Sequence, residues 1–542
     1  MSCISLRRFG HQIGCNYWRR TRWYFFLPLN LTLRNGAGLI VKLIGAIAAS
    51  ALKAENYFDR IRVFERRESA GGTWIHDEDP GSNHPVYPGK LPTETDQPLD
   101  IPHDLPQITP HIRRERWTAT PIYNMLTTNV PDIAMCFSDS RFAYGPFVPH
   151  YVARQYVENY FAIHQTDSFL ELNTTVEDLS SVSLPAPSGA RGWKLTLRKH
   201  DATRNLDVWR EEFYDAVVLA NGHYSVPYVR IQLAPKNMEA RGKLTQRQVP
   251  QVPGLEAYMA KFPGRVSHSK FYRSPLLYEH KRVIVVGNSA SGHDVAADLV
   301  SAAQHPVHVS RRSKSKWDGD EPPPGISWKP TIREFQPDGR VVFADDTYLD
   351  NVDAVIYCTG YKASFPFWNE KANRQPLWDY KADKLVKSYR HTFFRDYSNL
   401  GIVGLPRTLT FRSFEYQAIA LARLWSNRNS IPLPSREEQE AWEVQQAEKT
   451  TSRGAKFHDV PWENGETAEY LGYLFDIAGL GTLSGEGRIP PALGRDLVWA
   501  IENIHKYPEH SARDTKKGVG GDCMEEGWVL VPNGRRSHLG FI

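Results

Sequence analysis

Cysteine is scarce in this sequence. Cys3, Cys15, Cys136, Cys358 and Cys523 are five in number, far apart, and without a CxxC pair. That pattern excludes a disulfide scaffold and a cysteine-built zinc site, so no metal centre is expected and a reducing compartment, the cytoplasm, fits. Long hydrophobic runs are also missing. A membrane-spanning helix needs roughly 18 uninterrupted apolar residues, and the best stretch, Gly36 to Leu52, is broken by Lys42. Neither sign of charge dominates. The chain carries 66 Lys+Arg against 61 Asp+Glu, a net charge of +5 over 542 residues. No basic stripe runs through it, which argues against a nucleic-acid partner. Solenoid repeats and low-complexity tracts are absent as well. Basic and aromatic residues crowd only the start, from Arg7 to Phe26, and residues 1–35 are read as an extension rather than a targeting segment.

What is present is a series of buried-strand patterns. Ile61–Glu65 is a short strand closing on an acid. Asp215–Ala220 runs into Asn221-Gly222. Arg282–Gly287 opens into a Gly/Ser turn, Val307–Ser310 follows, and Asp353–Gly360 is the last strong run. Helical segments lie between and around them: Val148–Ala162, His293–Ala303 and Phe414–Trp425. Near-continuous Val/Ile strands separated by helices imply parallel sheets covered on both faces. The fold class expected is α/β with two dinucleotide-binding, Rossmann-like domains.

The strongest single motif is Gly287-Asn288-Ser289-Ala290-Ser291-Gly292, between a strand and an Ala-rich helix. Gly287 permits the tight turn, Ser289 is small enough for backbone to approach a pyrophosphate, and Gly292 lets helix and strand pack closely. Ser291 and the helix N-terminus complete a cradle for anionic oxygens. The next strand ends in Ser310-Arg311-Arg312 rather than in an acid. An acid would bind a ribose hydroxyl, whereas Ser and Arg suit a 2′-phosphate, so NADPH is expected over NADH.

A second unit lies nearer the N-terminus in altered form. Glu65 is placed to bind a ribose, and Gly71-Gly72-Thr73-Trp74 follows. Upstream stand Gly36-Ala37-Gly38, then Leu39 to Ile44, and only then Gly45. Counted back from Glu65, Gly45 holds the third-glycine place and Ile40 and Lys42 hold the first two. Gly36, Gly38 and Gly45 are nonetheless the candidate glycines of this loop.

With these motifs the chain resembles the flavin-containing monooxygenases of the two-dinucleotide type. Phe262-Pro263-Gly264-Arg265-Val266-Ser267-His268-Ser269-Lys270-Phe271-Tyr272 resembles their FxGxxxHxxx(Tyr/Phe) signature, and Asn221-Gly222 and Cys358-Thr359-Gly360-Tyr361 resemble their two later glycine turns. Tyr123 to Pro131 is similar to the segment bearing the family's active-site Asn, which falls on Asn129. The resemblance implies FAD held by the first unit, with Glu65 and Gly71-Gly72-Thr73-Trp74 as its ribose and pyrophosphate segment, NADPH held by the second, and Asn129, Asn221, Gly222, Thr359 and Gly360 at the cofactors. It implies one oxygen atom transferred from a C4a-hydroperoxyflavin to a nucleophilic nitrogen or sulfur of a small molecule. It also implies a structural role for His268. Baeyer–Villiger relatives usually place Trp, then Pro or Asp, at the signature's end; Tyr272-Arg273 stands here. Two alternatives stay open: a Baeyer–Villiger oxygenase, and an NADPH-binding relative that has lost FAD. The domains expected are an FAD domain in two parts (36–225 and 350–542), an NADPH domain between them (226–349) with an insertion at 229–248, and a homodimer is admissible.

Overall fold

Strands of Val, Ile and Ala that alternate between two apolar faces organise the molecule. The structure, a computed structural model, describes residues 36–41, 44–81, 86–112, 117–184, 190–229, 252–315, 317–428, 430–479, 487–506 and 529–530. The extension 1–35, Lys42, and all of the expected insertion except Val229 lie outside them.

The first sheet has seven strands, in the order Ser388–Tyr389, Phe393–Phe394, Tyr397–Ile402, Ala216–Ala220, Gly36–Val41, Arg60–Phe64 and Leu170–Glu171. From Tyr397–Ile402 onward every neighbouring pair is parallel. Side chains on a strand alternate between faces. Val218 and Ala220 accordingly join one core with the helices Gly45–Ala54, His150–Ile163 and Thr410–Ser426. Val217 and Leu219 join another, beneath an antiparallel sheet of Gln107–Pro110, Leu206–Tyr214, Arg191–Asp201 and Thr174–Ser183.

The second sheet is wholly parallel, in the order Val266–His268, Ala354–Tyr357, Val283–Val286, Val307–Ser310 and Ile326–Lys329. Val283, Val285 and Ile356 face the helix Ala290–Leu299. Ile284, Val355 and Tyr357 face the helix Leu255–Lys261 and a small antiparallel sheet that begins at Ile332. This is the expected α/β architecture, with one parallel sheet inserted into the chain of the other. The division expected at 349/350 needs correction, because Ala354–Tyr357 lies inside the second sheet. The two links between sheets pair with each other: Val226–Pro227 runs antiparallel to Tyr361–Lys362.

One ion pair inside the helical layer is fully buried. Glu55, at the end of the Gly45–Ala54 helix, meets Arg423 of the Thr410–Ser426 helix at 3.1 Å, and both side chains are 0% exposed. Arg428 approaches the same carboxylate at 3.5 Å. Removing one member leaves an uncompensated buried charge, which costs about 3–5 kcal/mol. Glu55→Ala is expected to lower unfolding free energy by that amount, measured by urea denaturation, and Arg423→Met by less, because Arg428 still faces Glu55.

Candidate cofactor site

Glu65 follows directly on the strand Arg60–Phe64 and is 1% exposed. Its Oε1 accepts the Arg67 backbone N–H at 2.9 Å. It lines a cleft shared with Arg67, Thr73, Trp117, Tyr224 and Lys270. Gly71 and Gly72 turn the chain beside it with φ of 127° and 53°, angles that favour glycine. Trp74 instead packs edge-on against Phe411, with ring centroids 6.2 Å apart, and so serves the core.

The glycines expected ahead of this cleft are not where a phosphate turn needs them. Gly36 pairs with Arg60, and Gly38 pairs with Arg62 and Val217, all inside the sheet. This corrects their assignment as loop glycines. Leu39-Ile40-Val41 is a strong strand former and carries the strand past them. Ile40 pairs with Phe64, so the strand-to-helix turn at the level of Glu65 comes after Ile40. Gly45 does begin the helix, buried, as counted. Ile44 just before it fills the space over Gly404, where a Cβ would fall 1.9 Å from the Ile44 Cδ1.

The second glycine loop is built as its sequence requires. Gly287 has φ of 105°, and a Cβ there would meet the Cys358 carbonyl at 2.9 Å. A Cβ on Gly292 would lie 1.9 Å from the Gly287 carbonyl oxygen. Ser289 stands exposed at the N-terminal boundary of the helix Ala290–Leu299, and Ser291 lies in its first turn. These features fit the pyrophosphate of a dinucleotide, with the helix N-terminus aimed at its charge. The basic turn beyond is divided in its roles. Ser310 is buried and donates its hydroxyl to the Pro330 carbonyl at 2.9 Å, turned into the sheet edge. The Arg311 guanidinium lies 3.4 Å from the centroid of the Trp328 ring and 2.9 Å from Asp318. Arg312 is exposed. Asp318 and Trp328 line the cleft beside Asn288 and Gly292.

The signature segment holds the two sheets together. His268 is fully buried; its Nδ1 accepts the Lys270 N–H, and its Nε2 lies 3.1 Å from the Gly360 carbonyl, so the proton sits on Nε2. Burial, reinforced by the Lys270 charge, pushes its pKa down to about 3. It is therefore a neutral structural residue, as expected. Thr359 Oγ1 donates to the Tyr228 carbonyl at 2.5 Å, and the Asn221 amide donates to the Ser364 carbonyl at 3.1 Å. Gly222 and Gly360 both have left-handed φ. All four residues thus sit where the chain crosses between sheets.

Arg273, 4% exposed, donates to the carbonyls of Asp77, Thr120, Lys270 and Tyr272 at 2.5 to 3.0 Å. Its own carbonyl accepts the Asn124 N–H at 2.9 Å. That bond anchors the segment leading to Asn129. Tyr123 donates to Asp294, and Lys506 bridges Asp294 and the Thr127 carbonyl, both at 3.2 Å. Asn129 itself is exposed and is not among the residues lining either cleft. Trp117, Asp318 and Trp328 lie in no motif, and Lys270 falls on a variable position of the signature, so no fixed spacing points to them.

The chain matches the family described as "FMO-like: Flavin-binding monooxygenase-like" over residues 113–317 and 324–480. It belongs to that family. FAD and NADPH are the family's cofactors. The flavin-containing monooxygenase iboF of Amanita muscaria is 27% identical over 460 residues, covering 74% of this chain and 81% of its own. The flavin-containing monooxygenase FMO GS-OX-like 4 of Arabidopsis thaliana is 28% identical, over 73% of this chain and 76% of its own. Among solved structures, S-allyl-L-cysteine S-oxygenase from Allium sativum shares the fold, with a TM-score of 0.64 at 22% identity over 87% of this chain and 92% of its own. Tmm from Pelagibacter sp. strain HTCC7211 does so with a TM-score of 0.58 at 21% identity, over 82% and 86%. Among the described residues, no helix is long and apolar enough to cross a membrane.

Three histidines of this oxidoreductase, His268, His391 and His458, are buried and held neutral, the first two with pKa values of about 3 and the third well below its usual value, chiefly by burial. The unfolded chain binds protons at these positions below about pH 6.5 while the folded one does not. Their contribution is complete above that pH and is lost as pH falls toward 3. Stability is therefore expected to fall as the pH drops below about 6.5. Urea midpoints measured from pH 7 to pH 5 are expected to fall steeply, and less steeply in His391→Gln.

Proposed function

We propose that this protein is an NADPH- and O2-dependent monooxygenase that inserts one oxygen atom at a nucleophilic nitrogen or sulfur of a small molecule. The observation that carries the reading is Arg273. Where Baeyer–Villiger relatives usually place Pro or Asp, this chain has an arginine whose guanidinium joins three separate segments through backbone carbonyls. Neither Pro nor Asp can make those donations. The S-oxygenase name of the Allium structure is in keeping with the same chemistry.

FAD would be held by Glu65, Gly71, Gly72 and Thr73, in a domain formed by residues 36–225 and 358–542. NADPH would be held by Gly287, Ser289, Ser291, Gly292, Arg311 and Arg312, in a domain formed by 226–357. When bound, the flavin supplies the electron transfer and oxygen chemistry, and the protein supplies binding, orientation and a dry site. The Asn129 side-chain amide can donate hydrogen bonds at any pH and would orient a bound partner without titrating. Arg311, kept planar on Trp328 and aimed by Asp318, is pre-set for a 2′-phosphate. His268 takes no part in proton transfer, because it stays neutral and both its ring nitrogens are engaged.

The purified chain is expected to be yellow, with absorption bands near ~370 and ~450 nm that NADPH bleaches and air restores. A thioether or tertiary amine should be oxygenated, and a cyclic ketone should not. A lactone formed from the ketone without sulfoxide would instead establish Baeyer–Villiger chemistry. A colourless protein that takes up no added FAD would overturn the proposal and leave only nucleotide binding. Arg311→Ala combined with Arg312→Ala should raise KM for NADPH about tenfold or more, the worth of a charged hydrogen bond, while KM for NADH stays unchanged.

A further inference from the structure

On the antiparallel sheet, three ligand-bearing side chains converge from three adjacent strands or their ends. Asp207 lies on Leu206–Tyr214, directly opposite His200 on one neighbour and Thr109 on the other. His111 follows Thr109 by two residues and so falls on the same face. The Nδ1 atoms of His111 and His200 approach the same oxygen, Asp207 Oδ1, at 2.9 and 3.3 Å. The imidazole centroids are 3.8 Å apart, with the rings tilted by 39°. All three ligand atoms lie within 4.8 Å of one another.

We propose that His111 Nδ1, His200 Nδ1 and Asp207 Oδ1 bind a divalent transition-metal cation of the zinc class. Nitrogen and oxygen ligands at about 2.0–2.1 Å around a tetrahedral ion stand roughly 3.3 Å apart, close to the two N···O separations seen. The second carboxylate oxygen is already fixed, since Oδ2 accepts the Ile112 N–H at 2.8 Å and Arg198 at 3.1 Å. Such outer contacts orient a ligating carboxylate and leave its other oxygen for the ion. Asp207 and Glu177 are two carboxylates that share the guanidinium of Arg198. Asp207 is fully buried, while His111 and His200 keep 23% and 28% of their side-chain surface, enough for a water at the fourth position.

The site acts as a clamp. A bound ion ties His111, directly after the strand Gln107–Pro110, to His200 and Asp207 on the next two strands. Nothing in this depends on which atom the enzyme oxygenates.

The test uses the untagged, full-length protein stripped of metal by a chelator. Zinc titrated by calorimetry should bind with one equivalent, and cobalt should give visible absorption bands of a low-symmetry four-coordinate site. His111→Gln and His200→Gln should each weaken zinc binding by about tenfold or more. Their partly exposed positions let them fold, whereas Asp207→Asn alters a fully buried carboxylate that also holds the Ile112 N–H. No stoichiometric zinc uptake by the parent chain, or uptake unchanged in both histidine variants, would overturn the proposal and leave a carboxylate-capped histidine pair.

Discussion

The pairing of the two inter-sheet links is the contact on which the functional arrangement rests. Val226–Pro227 and Tyr361–Lys362 lie antiparallel where the chain leaves the first sheet and returns to it. The polar groups exposed by that crossing are then satisfied one by one. The Gly360 carbonyl accepts from both the Tyr228 N–H and His268, and Thr359 donates to the Tyr228 carbonyl. A buried carbonyl left without a donor costs more than a formed bond returns, so such a network holds its members in one arrangement. Because it sits between the sheets, it sets how the Glu65 cleft and the Gly287 loop face each other.

Around that network, residues that look catalytic on paper serve position instead. His268 is locked neutral by its two hydrogen bonds, and Arg273 is spent on four carbonyls. Arg311 is held by Asp318 and Trp328 before any ligand arrives. The chemistry is left to the cofactors, and the polar side chains act as struts that keep two nucleotide sites in register.

How much of this could be read from the residues depends on what each position demands. The Gly287–Gly292 loop was legible because its glycines are forced by backbone contacts that tolerate no Cβ. The two-sheet plan was legible because Val/Ile strands buried on both faces leave a continuous apolar run. The first loop misled: Gly36 and Gly38 resemble a phosphate turn, yet the β-branched residues after them extend the strand. Ser310 was also misread, since nothing in a sequence tells whether a hydroxyl turns toward a ligand or toward a neighbouring carbonyl. The strand Ala354–Tyr357 was recognised as a strand but assigned to the wrong sheet, because an inserted unit closes with a strand distant in sequence from its neighbours. His111, His200 and Asp207 had no local spacing to betray them, and only strand register brings them together.

The interleaved sheets also bear on how the chain comes off the ribosome. The second sheet draws all its strands from one continuous stretch, Val266 to Tyr357. The first lacks Tyr397–Ile402, the strand beside Ala216–Ala220, until the chain has grown well beyond that stretch. Domains fold as units when their residues emerge. The inserted unit is therefore complete while its host is still open along one side. The nascent protein passes through a stage in which a finished nucleotide fold hangs from an unfinished one, with the apolar edge of Ala216–Ala220 awaiting its neighbour.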